Sequence, residues 1–164
     1  RSQRTPQRTS QQTPCFRTAT APMSKPSEAD LLEIIRHTAD DEKRWAAAEQ
    51  LWTLNPTHPE SPILRSKDLG LYLLGHHVTL LVGVLAKSNQ QRLILVRAEP
   101  TAENPYLPHN LSLTGLDSAG DTVFLVRSRQ QDDYIQFKFT ADVGDRFDLQ
   151  VHWTTASVTE HFIV

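Results

Sequence analysis

Tyr134-Ile135-Gln136-Phe137-Lys138-Phe139, then Asp142-Val143-Gly144-Asp145, then Phe147-Asp148-Leu149-Gln150-Val151-His152-Trp153 is the stretch that decides the fold. Apolar side chains occupy every second position of both arms. Successive side chains of a strand point to opposite faces, so each arm has one dry face and one wet face. The turn chemistry between the arms makes them the clearest adjacent pair of rungs in the chain.

The same alternation extends outward in both directions. It gives about eight strands, at residues 67–74, 77–86, 91–99, 111–116, 122–129, 133–140, 146–153 and 156–163. Their joins are turn-like: Ser88-Asn89-Gln90, Asp117-Ser118-Ala119-Gly120-Asp121, Gln130-Gln131-Asp132 and Asp142-Val143-Gly144. Strands at this spacing with no helix between them indicate a mainly β fold, an antiparallel β-sandwich or small barrel. Pro100 to Asn110 is the one longer connection, and it is the natural place for the chain to pass from sheet to sheet.

Ahead of the strands, residues 27–55 read as a short two-helix hairpin. Ser27 with Asp30 three residues on resembles a capping box before Leu31, Leu32, Ile34 and Ile35. Thr38 or Asp40 caps the second helix, and Asp40, Asp41 and Glu42 crowd its positive end. Trp45, Ala48, Leu51 and Trp52 recur at helical spacing, and Asn55-Pro56 ends the pattern. A hairpin of about thirty residues is below the size that folds unaided, so it must dock on something. Trp45, Trp52 and Leu51 are the candidate docking residues.

The remaining chain is polar. Residues 56–66 form a Pro-rich linker. Residues 1–26 are rich in Gln, Thr, Ser, Pro and Arg and are expected to be a disordered tail, since such composition buries too little surface to offset the entropy of ordering. Met23-Ser24-Lys25-Pro26-Ser27 has the look of an ordinary start, so residues 1–22 read as upstream sequence or tail, with a transit peptide as the competing reading. The whole is thus a tail (1–26), a helical hairpin (27–55), a linker (56–66) and a β-sandwich domain (67–164).

Net charge −2 divides into +5 over residues 1–26 and −7 over the rest. Five scattered cations form no dense patch, which argues against nucleic-acid binding. No apolar run reaches the roughly 18 residues that span a bilayer, so no membrane partner is expected. The lone Cys15 excludes an internal disulfide and a cysteine-based zinc site.

Catalytic and metal chemistry find little support. No serine sits in a Gly-flanked elbow, and no Gly-rich loop is built to cradle phosphate. His76 and His77 are adjacent, hence on opposite faces of a strand. His152 and His161 become cross-strand neighbours if the last two strands pair about Thr154-Thr155, without ligand-like spacing otherwise. The acids around Asp117–Asp121 and Asp132-Asp133 lack the regular spacing of a calcium loop. No cofactor, no metal and no catalytic residue is expected, and the protein does not read as an enzyme. A candidate ligand face is Tyr106, Tyr134 and Lys138. Glu160 has the parity of Val158 and Phe162, so it is a candidate buried charge, with Arg97 or Arg146 as its partner.

Two resemblances add to this reading. Residues 28–55, through Asp30-Leu31-Leu32-Glu33-Ile34-Ile35-Arg36-His37 and Arg44-Trp45-Ala46-Ala47-Ala48-Glu49-Gln50-Leu51, resemble a single HEAT-like repeat, with two tryptophans where repeats carry smaller residues. Lys67-Asp68-Leu69-Gly70, Tyr106-Leu107-Pro108, Leu111-Ser112-Leu113, Asp133 to Phe139, Gly144-Asp145-Arg146-Phe147 and Ala156 to Val164 resemble the C-terminal part of the cyanobacterial domain-of-unknown-function family DUF1822, over about residues 63–164. That resemblance implies a cyanobacterial, cytoplasmic protein, with the hairpin standing in place of the family's N-terminal region. HEAT-like repeats accompany regulatory proteins. The expectation is therefore a non-catalytic protein-interaction module, a regulatory or signalling scaffold whose partner is another protein. The alternative is a sandwich that binds a small ligand or carbohydrate.

Overall fold

The computed structural model describes residues 24–70, 74–87, 90–101 and 104–164. The tail up to Met23, Cys15 within it, part of the 67–74 strand expectation and most of the Ser88-Asn89-Gln90 turn lie outside the described residues.

Two helices come first, α1 (Glu28–His37) and α2 (Asp41–Leu54). Ser27 caps α1: its hydroxyl accepts from the Asp30 amide at 3.2 Å, and the Asp30 carboxylate takes the Ser27 amide at 3.0 Å. The Ser27 hydroxyl and amide together hold the Asp30 carboxyl below the usual carboxylate range. Asp40 caps α2 by accepting from the amides of Glu42 and Lys43. The helices are locked by Arg44, which is buried and reaches back to the carbonyls of Ile35 (3.1 Å) and Thr38 at the exposed end of α1. Arg36 closes the loop after α2 by a paired contact with Glu60 at 2.7 Å, which raises its own pKa.

Among the described residues eight strands follow: β1 (Ile63–Asp68), β2 (Val78–Ala86), β3 (Gln91–Pro100), β4 (Ser112–Asp117), β5 (Thr122–Arg127), β6 (Ile135–Asp142), β7 (Arg146–Trp153) and β8 (Ala156–Ile163). They form two antiparallel four-stranded sheets in the orders β1-β2-β3-β6 and β5-β4-β7-β8. The mainly β sandwich read from the alternation is what the chain forms. The first sheet of the two is called sheet A below, the second sheet B.

Two expectations need correction. The first strand begins at Ile63, inside the stretch read as linker, and ends at Asp68 instead of continuing to 74. Leu64 is the reason: it seats in the helix-facing cluster and sets the Leu64↔Gly83 register with β2, while Leu74 and Gly75 turn the chain through positive φ. The second correction concerns the clearest pair of rungs. β6 pairs with β3 in one sheet and β7 with β4 and β8 in the other, so the two never pair. The Asp142–Asp145 turn is a corner between sheets. It is pinned there by the Gly144 amide on the Val164 carbonyl (2.8 Å) and the Val164 amide on Asp145 (2.9 Å).

Between the sheets lies an apolar core that includes Val78, Leu80, Val82, Ile94, Val96, Leu113, Leu149 and Val151. A phenylalanine row crosses it: Phe124 stacks on Phe137 at 4.2 Å, Phe139 meets Phe147 edge-on at 5.2 Å, and Phe147 stacks on Phe162 at 5.3 Å. Gly115 makes room for that row, because a Cβ there would overlap the Phe124 ring.

Candidate functional site

Sheet A is apolar on both sides. In β3 the consecutive residues Leu93, Ile94, Leu95 and Val96 are all buried: Ile94 and Val96 face sheet B, while Leu93 and Leu95 join a second cluster with Leu85. The helical hairpin completes that second cluster with Leu31, Ile35, Trp45, Ala47, Ala48 and Leu51. The molecule is therefore three layers, helices on sheet on sheet. Trp45 is 2% exposed, and its ring lies over Gly83 of β2, where any Cβ would overlap it. Only glycine lets the indole come down onto the sheet backbone.

Charged pairs rim this seat. Lys87 meets Asp41 at 3.2 Å and the Thr140 hydroxyl at 3.2 Å, and Lys138 meets Glu42. The acids that favour the N-terminus of α2 thus also receive the lysines of the sheet. At the other end, Glu49 accepts from the Trp45 indole N–H (2.9 Å) and from Arg97 (3.3 Å). Arg97 also donates from Nε to Gln136 (3.1 Å), and its guanidinium sits 5.3 Å from the centre of the Tyr134 ring.

Of the three docking candidates, the structure places Trp45 and Leu51 in the seat itself and leaves Trp52 42% exposed. Trp52 is seven residues from Trp45 and three from Glu49, so it shares their face of α2. Tyr134, 46% exposed, has the Arg97 guanidinium over its ring. Tyr134 thus stands open beside a guanidinium held in place by Glu49 and Gln136. Trp52 stands open on α2, one turn beyond the Glu49 that binds that guanidinium.

The other candidates separate. Lys138 is 11% exposed and engaged by Glu42, so its side of β6 is a seat for α2 and not a wet ligand face. Alternation shows only that Lys138 is outside the sandwich core; it does not say what covers it. Tyr106 is exposed on the connection between β3 and β4, where the Leu107 amide donates to the Asp132 carbonyl at 2.8 Å. Glu160 faces inward as its parity requires, but at the open flank it is half-buried instead of buried, and its partner is Lys67 of β1 instead of Arg97 or Arg146. Arg97 is on the opposite face of sheet A, and Arg146 lies near the β4–β5 turn. His152 pairs across to Ser157 and His161 to Asp148 (2.6 Å), so the two histidines are not cross-strand neighbours. His76 packs edge-on against Trp153 at 4.2 Å. Among the described residues, no three of His, Cys, Asp and Glu stand close enough to hold a metal ion, and no helix is long and apolar enough to cross a membrane.

Arg44, Glu49 and Gly83 were invisible to the sequence reading. The Trp45-to-Glu49 spacing of four was the one available hint, since it puts a carboxylate beside an indole N–H on one helix face. Gly83 gives no such signal, because its role depends on a helix more than thirty residues away in sequence.

The chain belongs to the family described as protein of unknown function DUF1822, whose model matches residues 2–163. The match takes in both helices, so the likeness is wider than residues 63–164 and the hairpin lies within the family's own matched region. No curated protein and no solved structure matches the chain.

Proposed function

We propose that this DUF1822 member is a non-catalytic protein-interaction module, and that the surface bearing Trp52, Arg97 and Tyr134 receives the partner. One observation carries the reading. Tyr134 stands open beside an arginine already fixed by Glu49 and Gln136, and Trp52 stands open one helical turn beyond Glu49. Tryptophan, tyrosine and arginine are the residues that dominate binding energy at protein interfaces, and a pre-ordered arginine loses little further freedom on binding. Leu31, Ile35, Trp45, Ala47, Ala48 and Leu51 of the hairpin are already spent within the molecule, on Leu85, Leu93 and Leu95, which leaves Trp52 facing outward together with Ile34 and Leu54. A regulatory or signalling role, a cytoplasmic and cyanobacterial setting and the HEAT-like character of residues 28–55 belong to the same proposal and rest on the sequence resemblances.

The test is affinity capture with the full chain, comparing wild type with Trp52→Ala/Tyr134→Ala. A partner held by wild type and bound about thirtyfold more weakly or worse by the double variant supports the reading, provided the thermal midpoint is unchanged. A partner held equally by both proteins overturns it. If the chain captures no protein but is thermally stabilised by a sugar or small ligand, the small-ligand or carbohydrate reading replaces it.

A further inference from the structure

We propose that the open flank between β1 and β8 binds a small alkyl carboxylate, its head on Arg65 and its chain on the apolar floor between the sheets. This site is on the other side of sheet A from the helical hairpin, and it stands or falls independently of the proposed partner surface.

The two sheets close against each other at one side through the Phe124–Phe137 stack between β5 and β6. At the opposite side, β1 and β8 leave a cleft of about 150 Å³ lined by Arg65, Lys67, Leu80, Val82, Glu160 and Phe162. The odd positions of β1 pair with the core-facing positions of β2, Arg65 with Val82 and Lys67 with Leu80, so both cations lie on the core-side face of β1, at its exposed edge. Lys67 and Glu160 bridge the sheets across the mouth. Arg65 makes no side-chain hydrogen bond or ion pair among the described residues.

Inward-pointing charge on an edge strand discourages pairing with a foreign strand. Lys67 and Glu160 already serve that purpose on both edges. It does not account for an unengaged guanidinium above Leu80 and Val82, which are buried, and Phe162, which is packed on Phe147. A planar fork of N–H donors matches a carboxylate in two places at once, and the apolar floor selects against a fully polar anion. At about 150 Å³ the cleft suits a short chain.

The probe is hexanoate, titrated into the full 164-residue chain and followed by amide chemical shifts. Saturable shifts at Arg65, Leu80, Val82 and Phe162 are expected. Arg65→Gln, an exposed substitution, should weaken binding about tenfold, and 1-hexanol and acetate should each bind about tenfold more weakly than hexanoate. No saturation, equal affinity in Arg65→Gln, or equal affinity for 1-hexanol overturns the proposal. An acetyl-Ala-Val-Leu peptide with a free C-terminus is the last probe. If it binds tenfold more tightly than hexanoate, the site is for a chain terminus and the alkyl carboxylate is overturned.

Discussion

The outer faces of the two sheets meet opposite fates. That of sheet A carries Leu85, Leu93 and Leu95 and lies under the helical hairpin. That of sheet B carries Thr114, Gln150, His152, Ser157 and Thr159 in registered rows, half-buried or exposed, and is open to solvent. The strands forecast the difference. β8 alternates half-buried and exposed residues through its whole length, whereas β3 buries four consecutive residues. Strict alternation marks a sheet with one dry side, and a continuous apolar run marks one dry on both. The helices are thus part of the core, and the sandwich would expose an apolar face without them.

Substitutions on the two faces should differ sharply. Trp45→Ala removes a fully buried indole from under the hairpin and takes one N–H donor from Glu49; it should cost about 3–5 kcal/mol in urea denaturation. A loss below about 1 kcal/mol would mean the hairpin is not integral to the fold. Gly83→Ala acts on the same contact from the sheet side. Its methyl would overlap the Trp45 ring, so a loss of about 1–3 kcal/mol is expected, read as a drop in denaturation midpoint. If Gly83→Ala is neutral, the indole does not rest on the β2 backbone. Gln150→Lys on the bare face of sheet B should stay within about 0.5 kcal/mol of wild type. A large loss there would show that this face is covered in solution, and the contrast between the sheets would collapse.

Much of this was legible from residues alone. The capping box at Ser27, the Asp40 cap, the strand positions from Val78 onward and the inward parity of Glu160 all follow from local rules about spacing and side-chain direction. What local rules miss is who lies opposite. Lys138 looked solvated because its strand alternates, yet Glu42 of α2 covers it. Glu160 needed a cation, but nothing in its own segment singled out Lys67, 93 residues earlier, over Arg97 or Arg146.

For the two helices and the strands from Val78 onward, the sequence by itself determined which residues form the elements and which side of each is apolar, because periodicity is a property of one element's geometry. Only the tertiary structure decided the pairing: the turn after β6 joins two sheets although its residues suit a hairpin, since β6 completes sheet A beside β3 while β7 is needed between β4 and β8. It also decided that the wet side of β6 is a seat for α2. Both outcomes come from burying all the apolar faces together, a condition on the whole chain that no single segment records.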